Sequence, residues 1–331
     1  MNSFGRIFRI HIFGESHGEC VGLTIDGCPA GLPLTVDDFL SDLDRRKGGT
    51  KGTTPRKEAD IPHIKTGLFN GKTTGAPITI LFDNANTRST DYEKQRDIPR
   101  PGHADFVAHA KAGGHEDYRG SGHYSGRLTV CLVAAAVVAK KLMFGVTITS
   151  EILEIGGEKD IEAGLQKAIA AKDSVGGIIE CRVNGLPVGL GEPFFDSVES
   201  LISHAVFAIP AVRAIEFGTG AAAAKMFGSE HNDAIVDASG KTKTNHAGGV
   251  VGGLTNGNEL VYRIAIKPTS STPKDQQSLN WETNQVENFS VKGRHDLCIA
   301  LRVPVILEAV TAMVLADLFV LEQKIPRILR S

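Results

Sequence analysis

The sequence predicts a single domain of mixed α+β class, and three observations carry that expectation. Segments with strand and helix patterns are interspersed from one end of the chain to the other. A unit of strand, Gly/Pro turn and helix occurs twice, at Gly22 to Leu32 and again at Gly177 to Leu190, each followed by a helical pattern. That recurrence reads as an internal duplication of an α/β unit, with coincidence between two Gly/Pro turns as the alternative. No linker-like stretch divides the 331 residues, a length open to one large domain or two smaller ones.

Taken in order, Arg6 to Phe13 is β-branched and aromatic and runs into the tight turn Gly14-Glu-Ser-His-Gly18, which is expected to present Ser16 and His17. Val21 to Asp26 predicts a second strand, and Thr35-Val-Asp-Asp38 opens a helix reaching about Arg46. Residues 48 to 58 form a Gly/Thr-rich loop with three basic side chains, either a phosphate-binding flap or a solvated loop. Gly67 to Thr73 has three residues between its glycines where a phosphate-cradling loop needs four, so it is read as a hairpin turn. Pro77 to Phe82 is a strand, a short helix starts near Ala104, and Leu128 to Met143 is a buried helix. Val146 to Ile152, Ile209 to Phe217 and Glu259 to Lys267 read as strands, Asp160 to Lys172 and Asp196 to Ala208 as helices, and Gly218 to Lys225 as a small-residue helix start. Residues 272 to 289 read as a polar connection, and Val303 to Lys324 as a long apolar helix.

A composition of 41% hydrophobic and 22% charged residues describes an ordinary globular chain. Its net charge of -2 excludes a protein whose nucleic-acid affinity comes from a broad basic face. Five cysteines, at 20, 28, 131, 181 and 298, show no CxxC pair, so neither a disulfide framework nor a metal site is expected, and a reducing cytoplasm fits. The N-terminal residues lack the pattern of a secretory leader, and Leu128 to Val138, read as the longest apolar run, is too short for a bilayer. The expectation is neither secretion nor membrane insertion.

The chemistry concentrates between residues 100 and 127, which hold three arginines, four histidines, two serines and two tyrosines on a glycine-rich backbone. That is a poor recipe for core, and the apolar helix directly after it makes a rigid mount for a reactive loop. Polar turns close several apolar segments: Gly14 to Gly18, Arg45-Arg46, Arg100 to His103, Ser125 to Arg127, Lys267 to Ser271 and Gly293 to Asp296. Arginine's fork matches carboxylate and phosphate, so the arginines in these turns suit a small polyanion, although any one of them alone is more simply a surface residue. His17 and His103 lie in glycine turns and read as displayed proton-transfer groups, whereas His63, His109 and His204 read as structural. Gly14 to Gly18 has the Gly-x-Ser-x-Gly spelling of a nucleophile elbow, but a strand follows where the elbow demands a helix, so serine hydrolysis is not expected. Lys267-Pro-Thr-Ser-Ser271 places one cation and three hydroxyls at a strand end, fit for a phosphate or a ribityl chain.

Eight blocks in order make the pattern specific: Gly14-Glu-Ser-His-Gly, Asp44-Arg-Arg, Asn86-Thr-Arg-Ser with Asp91-Tyr, Arg100-Pro-Gly-His-Ala-Asp, Asp117-Tyr-Arg-Gly, Asn245-His-Ala-Gly-Gly, Lys267-Pro-Thr-Ser-Ser and Gly293-Arg-His-Asp. Together, over about residues 5 to 320, they resemble the chorismate synthase family. The resemblance implies a β-α-α-β layered sandwich with internal duplication, a homotetramer, and a shikimate-pathway lyase that takes 5-enolpyruvylshikimate 3-phosphate to chorismate and phosphate by 1,4-anti elimination. It implies reduced FMN (FMNH2) as cofactor without net redox change, with NADP as an associated nucleotide. By the same resemblance, His17, His103 and Asp296 are catalytic, and Ser16, Arg45, Arg46, Arg100, Arg127 and Arg294 bind the substrate. Flavin contacts fall on His123, Tyr124, Ser125, Pro210, Ala211, Gly257, Lys267, Pro268, Thr269, Ser270, Ser271 and Arg294. Neither nucleic acid nor membrane is an expected partner.

The chain departs from the family where Arg-Ser-Ser-Ala-Arg-Glu-Thr is usual and His123-Tyr-Ser-Gly-Arg-Leu-Thr stands instead, so a flavin-side arginine becomes a histidine. The basic flap after Thr50 is one residue short, and a Cys-Pro-Asp segment expected before residue 160 is missing. Two other classes remain open from sequence: a flavin-binding module without catalysis, and a flavin-dependent oxidoreductase.

Overall fold

The computed structural model describes residues 1–55, 58–85, 96–291 and 295–330. The first half builds β1 (Ser3–Phe4), β2 (Arg9–Gly14), β3 (Cys20–Asp26), α1 (Asp37–Arg46), β4 (His63–Ile64), β5 (Leu68–Phe69), β6 (Lys72–Thr73), β7 (Ile78–Asp83), α2 (Asp105–Ala112) and α3 (Thr129–Leu142). The second half builds β8 (Thr147–Ile155), α4 (Ile161–Ala171), β9 (Gly177–Asn184), α5 (Val198–Val206), β10 (Val212–Phe217), α6 (Gly228–His231), β11 (Val250–Val251), β12 (Leu254–Thr255), β13 (Leu260–Ile266), β14 (Gln276–Asn280), β15 (Gln285–Phe289) and α7 (Val303–Leu321). Each half has its own antiparallel sheet, in the order β1-β2-β3-β7-β4 and β10-β13-β9-β8. The two strands of the recurring unit, β3 and β9, are both interior strands followed by a helix.

Two helices, α3 and α7, are apolar all round, and helices without a polar face must be buried in the protein. In α3 every residue but Lys140 and Lys141 is buried, and in α7 burial is continuous from Val305 to Phe319. The two helices pack on each other, α3 also touching β2 and β3, and α7 touching β8 and β9. One contiguous apolar cluster runs from Phe8 through both helices to Ile325.

The expectation that no apolar run reaches bilayer length needs correction. Residues Ile299–Leu321 are long and apolar enough to cross a membrane, yet 83% of their most apolar window is buried in the protein. Here the apolarity is that of a helix enclosed by protein.

Buried carboxylates on α7 tie distant segments together. Glu308 takes two hydrogen bonds from Arg45 at 2.7 and 2.6 Å, one from Lys140 at 3.3 Å and one from the Ser150 amide at 3.1 Å. Asp317 accepts from the backbone amides of Arg6, Ile7 and Phe8, satisfying three donors just before β2.

Two local expectations change. Residues 272–289 are not a plain connection: β14 and β15 pair in full register from Gln276↔Phe289 to Asn280↔Gln285. Both faces of this hairpin are partly exposed, so it lacks the apolar alternation that marks a half-buried strand. Gly218 to Lys225 continues into a 3₁₀ turn, not an α-helix.

Candidate active site

The loop between α2 and α3 is shaped by three successive residues with positive φ, Gly120 (56°), Ser121 (69°) and Gly122 (51°). A serine in that region is strained by about 1–2 kcal/mol, which marks the conformation as imposed by its surroundings. Ser121 accepts a hydrogen bond from Arg100 at 2.8 Å, and its hydroxyl lies 3.4 Å from His103 Nε2. Gly120 lets the loop lie against His17, since a Cβ there would sit 2.4 Å from the His17 ring and 3.1 Å from Ser16 Oγ.

Around this loop open two adjoining chambers. The larger, of about 530 Å³, has an apolar side from Ile12, Leu128, Leu132, Pro210 and Ala211, and a polar side from His103 and Lys267 to Ser271. The smaller, of about 200 Å³, is lined among the described residues by five cations, Arg46, Lys47, Arg100, Arg127 and Arg302, against the carboxylates of Glu58, Asp60 and Asp296. Ser121, Ser125, Gly126, Thr269 and Asp296 belong to both.

The cations are held rigidly. Asp60, fully buried, receives Arg46 at 2.5 Å and forms a closer ion pair with Arg127, which also donates to Asn84 at 2.9 Å and to the Asp83 carbonyl. Burial pushes the Arg46 pKa down, although Asp60 opposes it. Among the described residues five cations face three carboxylates in this chamber, a positive excess that an anionic ligand would compensate. Arg302 donates to the Arg46 carbonyl at 2.9 Å and to Asp296 at 3.2 Å, while Asp296 also accepts from the Thr54 amide, tying the 48–55 flap to the junction of the chambers.

Arg100 is 6% exposed and reaches Asp105 through Nε at 2.7 Å and Nη2 at 2.8 Å, and Ser271 at 3.0 Å. Asp105 Oδ1 also meets His103 Nδ1 at 2.7 Å. Burial alone would raise the Asp105 pKa, but the Arg100 and His103 contacts hold it well below the usual carboxylate range. On the flavin-expected side, Lys267 and Ser270 both donate to the Gly102 carbonyl, and burial lowers the Lys267 pKa with help from Arg213.

Of the expected site residues, His103, Asp296, Arg46, Arg100, Arg127, His123, Tyr124, Ser125, Pro210, Ala211 and Lys267 to Ser271 line these chambers. Others fall elsewhere. Ser16 and His17, expected to be displayed, are 1% and 8% exposed and lie behind Gly120. The turn is reactive in composition but roofed by the later loop, which no local reading foresees. Arg45 lines neither chamber, because its guanidinium is clamped on Glu308. Gly257 sits in the turn between β12 and β13 beside Val188, outside both chambers. Arg294 lies outside the described residues, as do Arg56 and Lys57 of the flap and residues 86–95 with their Asn-Thr-Arg-Ser block.

His123 stands where the family's arginine was expected, and its ring is tethered: Nδ1 donates to the Gly14 carbonyl at 2.8 Å and Nε2 meets Asn2 Oδ1 at 3.0 Å. It ties the loop to β2 as well as lining the chamber. His109 is structural as expected, stacked on Trp281 at 4.5 Å and bonded to Glu116.

Asp60, Asp105, Ser121 and Arg302 were missed. Asp105 was legible in principle, two residues after His103 in the same block. Arg302 had a weaker signal, being a cation at a helix N-terminus, where the helix dipole disfavours it unless another group holds it there. Asp60 had none.

The Gly120 contact predicts that Gly120→Ala will be destabilised by about 1–2 kcal/mol or more, from the positive φ and the clash with His17. Thermal denaturation measures it, and an unchanged Tm would show that the His17 ring yields freely.

Such a cation-lined chamber is suited to a small polyanion, and an apolar-walled chamber adjoins it. The sequence profile of the family described as chorismate synthase matches residues 8–320, and the chain belongs to the chorismate synthase family. Chorismate synthase of Chitinophaga pinensis is 70% identical over 332 residues, covering all of both chains. That of Dehalococcoides mccartyi is 42% identical over 362 residues, again with full coverage of both. A solved structure titled "Crystal Structure of Chorismate Synthase" superposes with a TM-score of 0.75 at 25% identity, covering 96% of this chain and 93% of its own.

Proposed function

We propose that the two adjoining chambers carry out the family's elimination, with the arginine-lined one holding 5-enolpyruvylshikimate 3-phosphate and the larger one holding reduced FMN. As a chorismate synthase the protein is a lyase of the shikimate pathway, releasing chorismate and phosphate. The observation that carries the placement is the shared wall: Ser121, Ser125, Gly126, Thr269 and Asp296 face both chambers, so two ligands bound there would touch.

The residues present fit the flavin. Thr269 Oγ1 is buried with no hydrogen-bond partner among the described residues, at a strand end where Lys267 and Ser270 add a cation and a hydroxyl. Ile12, Leu128, Leu132 and Pro210 supply an apolar side for a ring. When bound, reduced FMN supplies transient electron density to the allylic system and ends the cycle still reduced.

The protein's own groups do the rest. Arg46 and Arg127, fixed by Asp60, bind substrate anions and stabilise charge on the departing phosphate. Arg100 closes the other side of the chamber. His103, at the boundary with the flavin chamber, holds or moves a proton at Nε2. Asp296, pinned by Arg302 and the Thr54 amide, is a carboxylate base at the junction. His17 supports Gly120 and, through it, Ser121.

We read the two sheets enclosing α3 and α7 as a β-α-α-β sandwich, the two halves as a duplicated unit, and the whole as one domain. The element contacts and the single apolar cluster support this reading. A homotetramer in the cytoplasm is the corresponding proposal for assembly and location. Oxidised FMN alone is expected not to support turnover. Phosphate release should require reduced FMN under anaerobic conditions, and steady activity in air without reductant would overturn the assignment.

A further inference from the structure

We propose that Asp105 is the positioning residue that sets the tautomer and orientation of His103, so that Nε2 and not Nδ1 exchanges the proton. This rests on the placement of His103 in the proposed site. Two contacts at Nδ1 make incompatible demands: Asp105 Oδ1 at 2.7 Å can only accept, whereas Arg100 Nη2 at 3.1 Å can only donate. The carboxylate prevails, because its contact is shorter and Arg100 Nη2 already has Asp105 Oδ1 at 2.8 Å and Ser121 Oγ at 2.8 Å as acceptors. Nδ1 therefore carries hydrogen, and Nε2 is left facing Ser121 Oγ at 3.4 Å on the wall shared by the chambers.

Asp105 can hold this post because it is itself fixed. Arg100 grips both carboxylate oxygens through Nε and Nη2, and the Arg100 amide donates to Oδ2 at 3.1 Å. Asp105 is also the first residue of α2, where a carboxylate is favoured by the helix dipole. The backbone thus presents His103 and its partner two residues apart, with Arg100 folded back over both. An imidazole whose second nitrogen is tied in this way offers one defined atom for proton transfer.

The test has two arms. In the unmodified full chain labelled with ¹⁵N-histidine, with the His103 signals assigned by their loss in His103→Gln, the neutral ring should show a protonated Nδ1 and a bare Nε2. In Asp105→Asn, kcat should fall by about 10²-fold or more with KM changed by less than about threefold, and the Nε2–H tautomer should gain population. A dominant Nε2–H tautomer in the parent overturns the proposal, as does a folded Asp105→Asn that keeps kcat within about threefold. If Asp105→Asn does not fold, the parent ring spectrum decides alone. That spectrum needs no flavin and no turnover, so it decides even if the functional assignment of the cleft fails.

Discussion

Replacing His103 with alanine is expected to lower kcat by roughly 10²- to 10⁴-fold while the protein keeps its fold, the range that a positioned acid or base supplies. The geometry separates the two effects. His103 is half-buried on the chamber wall, and its loss leaves Arg100 still bonded to Asp105, Ser121 and Ser271. No buried charge is stranded, so the thermal midpoint should move little. A kcat within about threefold of the parent would place His103 among the structural histidines, with His109.

The largest expected stability effect belongs to Asp60→Asn. Its carboxylate is fully buried between Arg46 and Arg127, and removing one member of a buried ionic cluster typically costs about 3–5 kcal/mol because the remaining charges lose their compensation. The same site predicts an acid signature. Burial would raise the Asp60 pKa, yet Arg46 and Arg127 outweigh it and the pKa lies below its ordinary value. A carboxyl with a depressed folded pKa contributes stability above its unfolded value of about 3.9 and loses it as pH falls through the folded one. The parent should therefore weaken in that acid window, while Asp60→Asn should lack this component. Urea unfolding at neutral and acid pH measures both. A loss under about 1 kcal/mol at pH 7 would show that a ligand-free pair of arginines is tolerated there.

What was legible in the sequence was whatever chemistry is local. Periodicity and length placed α3, α4, α5, α7 and the main strands within a few residues, and ordered motif blocks identified the family and part of the chamber walls. What was not legible depends on contacts between distant segments. Ser16 and His17 looked displayed because a glycine turn is usually open, but the Gly120 to Gly122 loop, arriving a hundred residues later, lies against them. Arg45 and Arg46 are adjacent in sequence, but the helix points one at Glu308 and the other at Asp60. Asp60 itself sits outside any motif and acquires its role from two arginines brought to it by α1 and by the loop before α3. The β14–β15 hairpin was invisible for a different reason: its pairing is carried by backbone hydrogen bonds between polar strands with no buried face to betray them.

The central claim is that this cleft performs a redox-neutral elimination with a flavin that is not consumed. The direct measurement is the stoichiometry of product to flavin in a sealed anaerobic reaction, with a limiting amount of FMN reduced once and 5-enolpyruvylshikimate 3-phosphate in excess. The account predicts many phosphates released per flavin, in step with chorismate, and a flavin spectrum that ends as it began, reduced. Product limited to one per flavin, with the flavin left oxidised, would contradict it and identify an oxidoreductase.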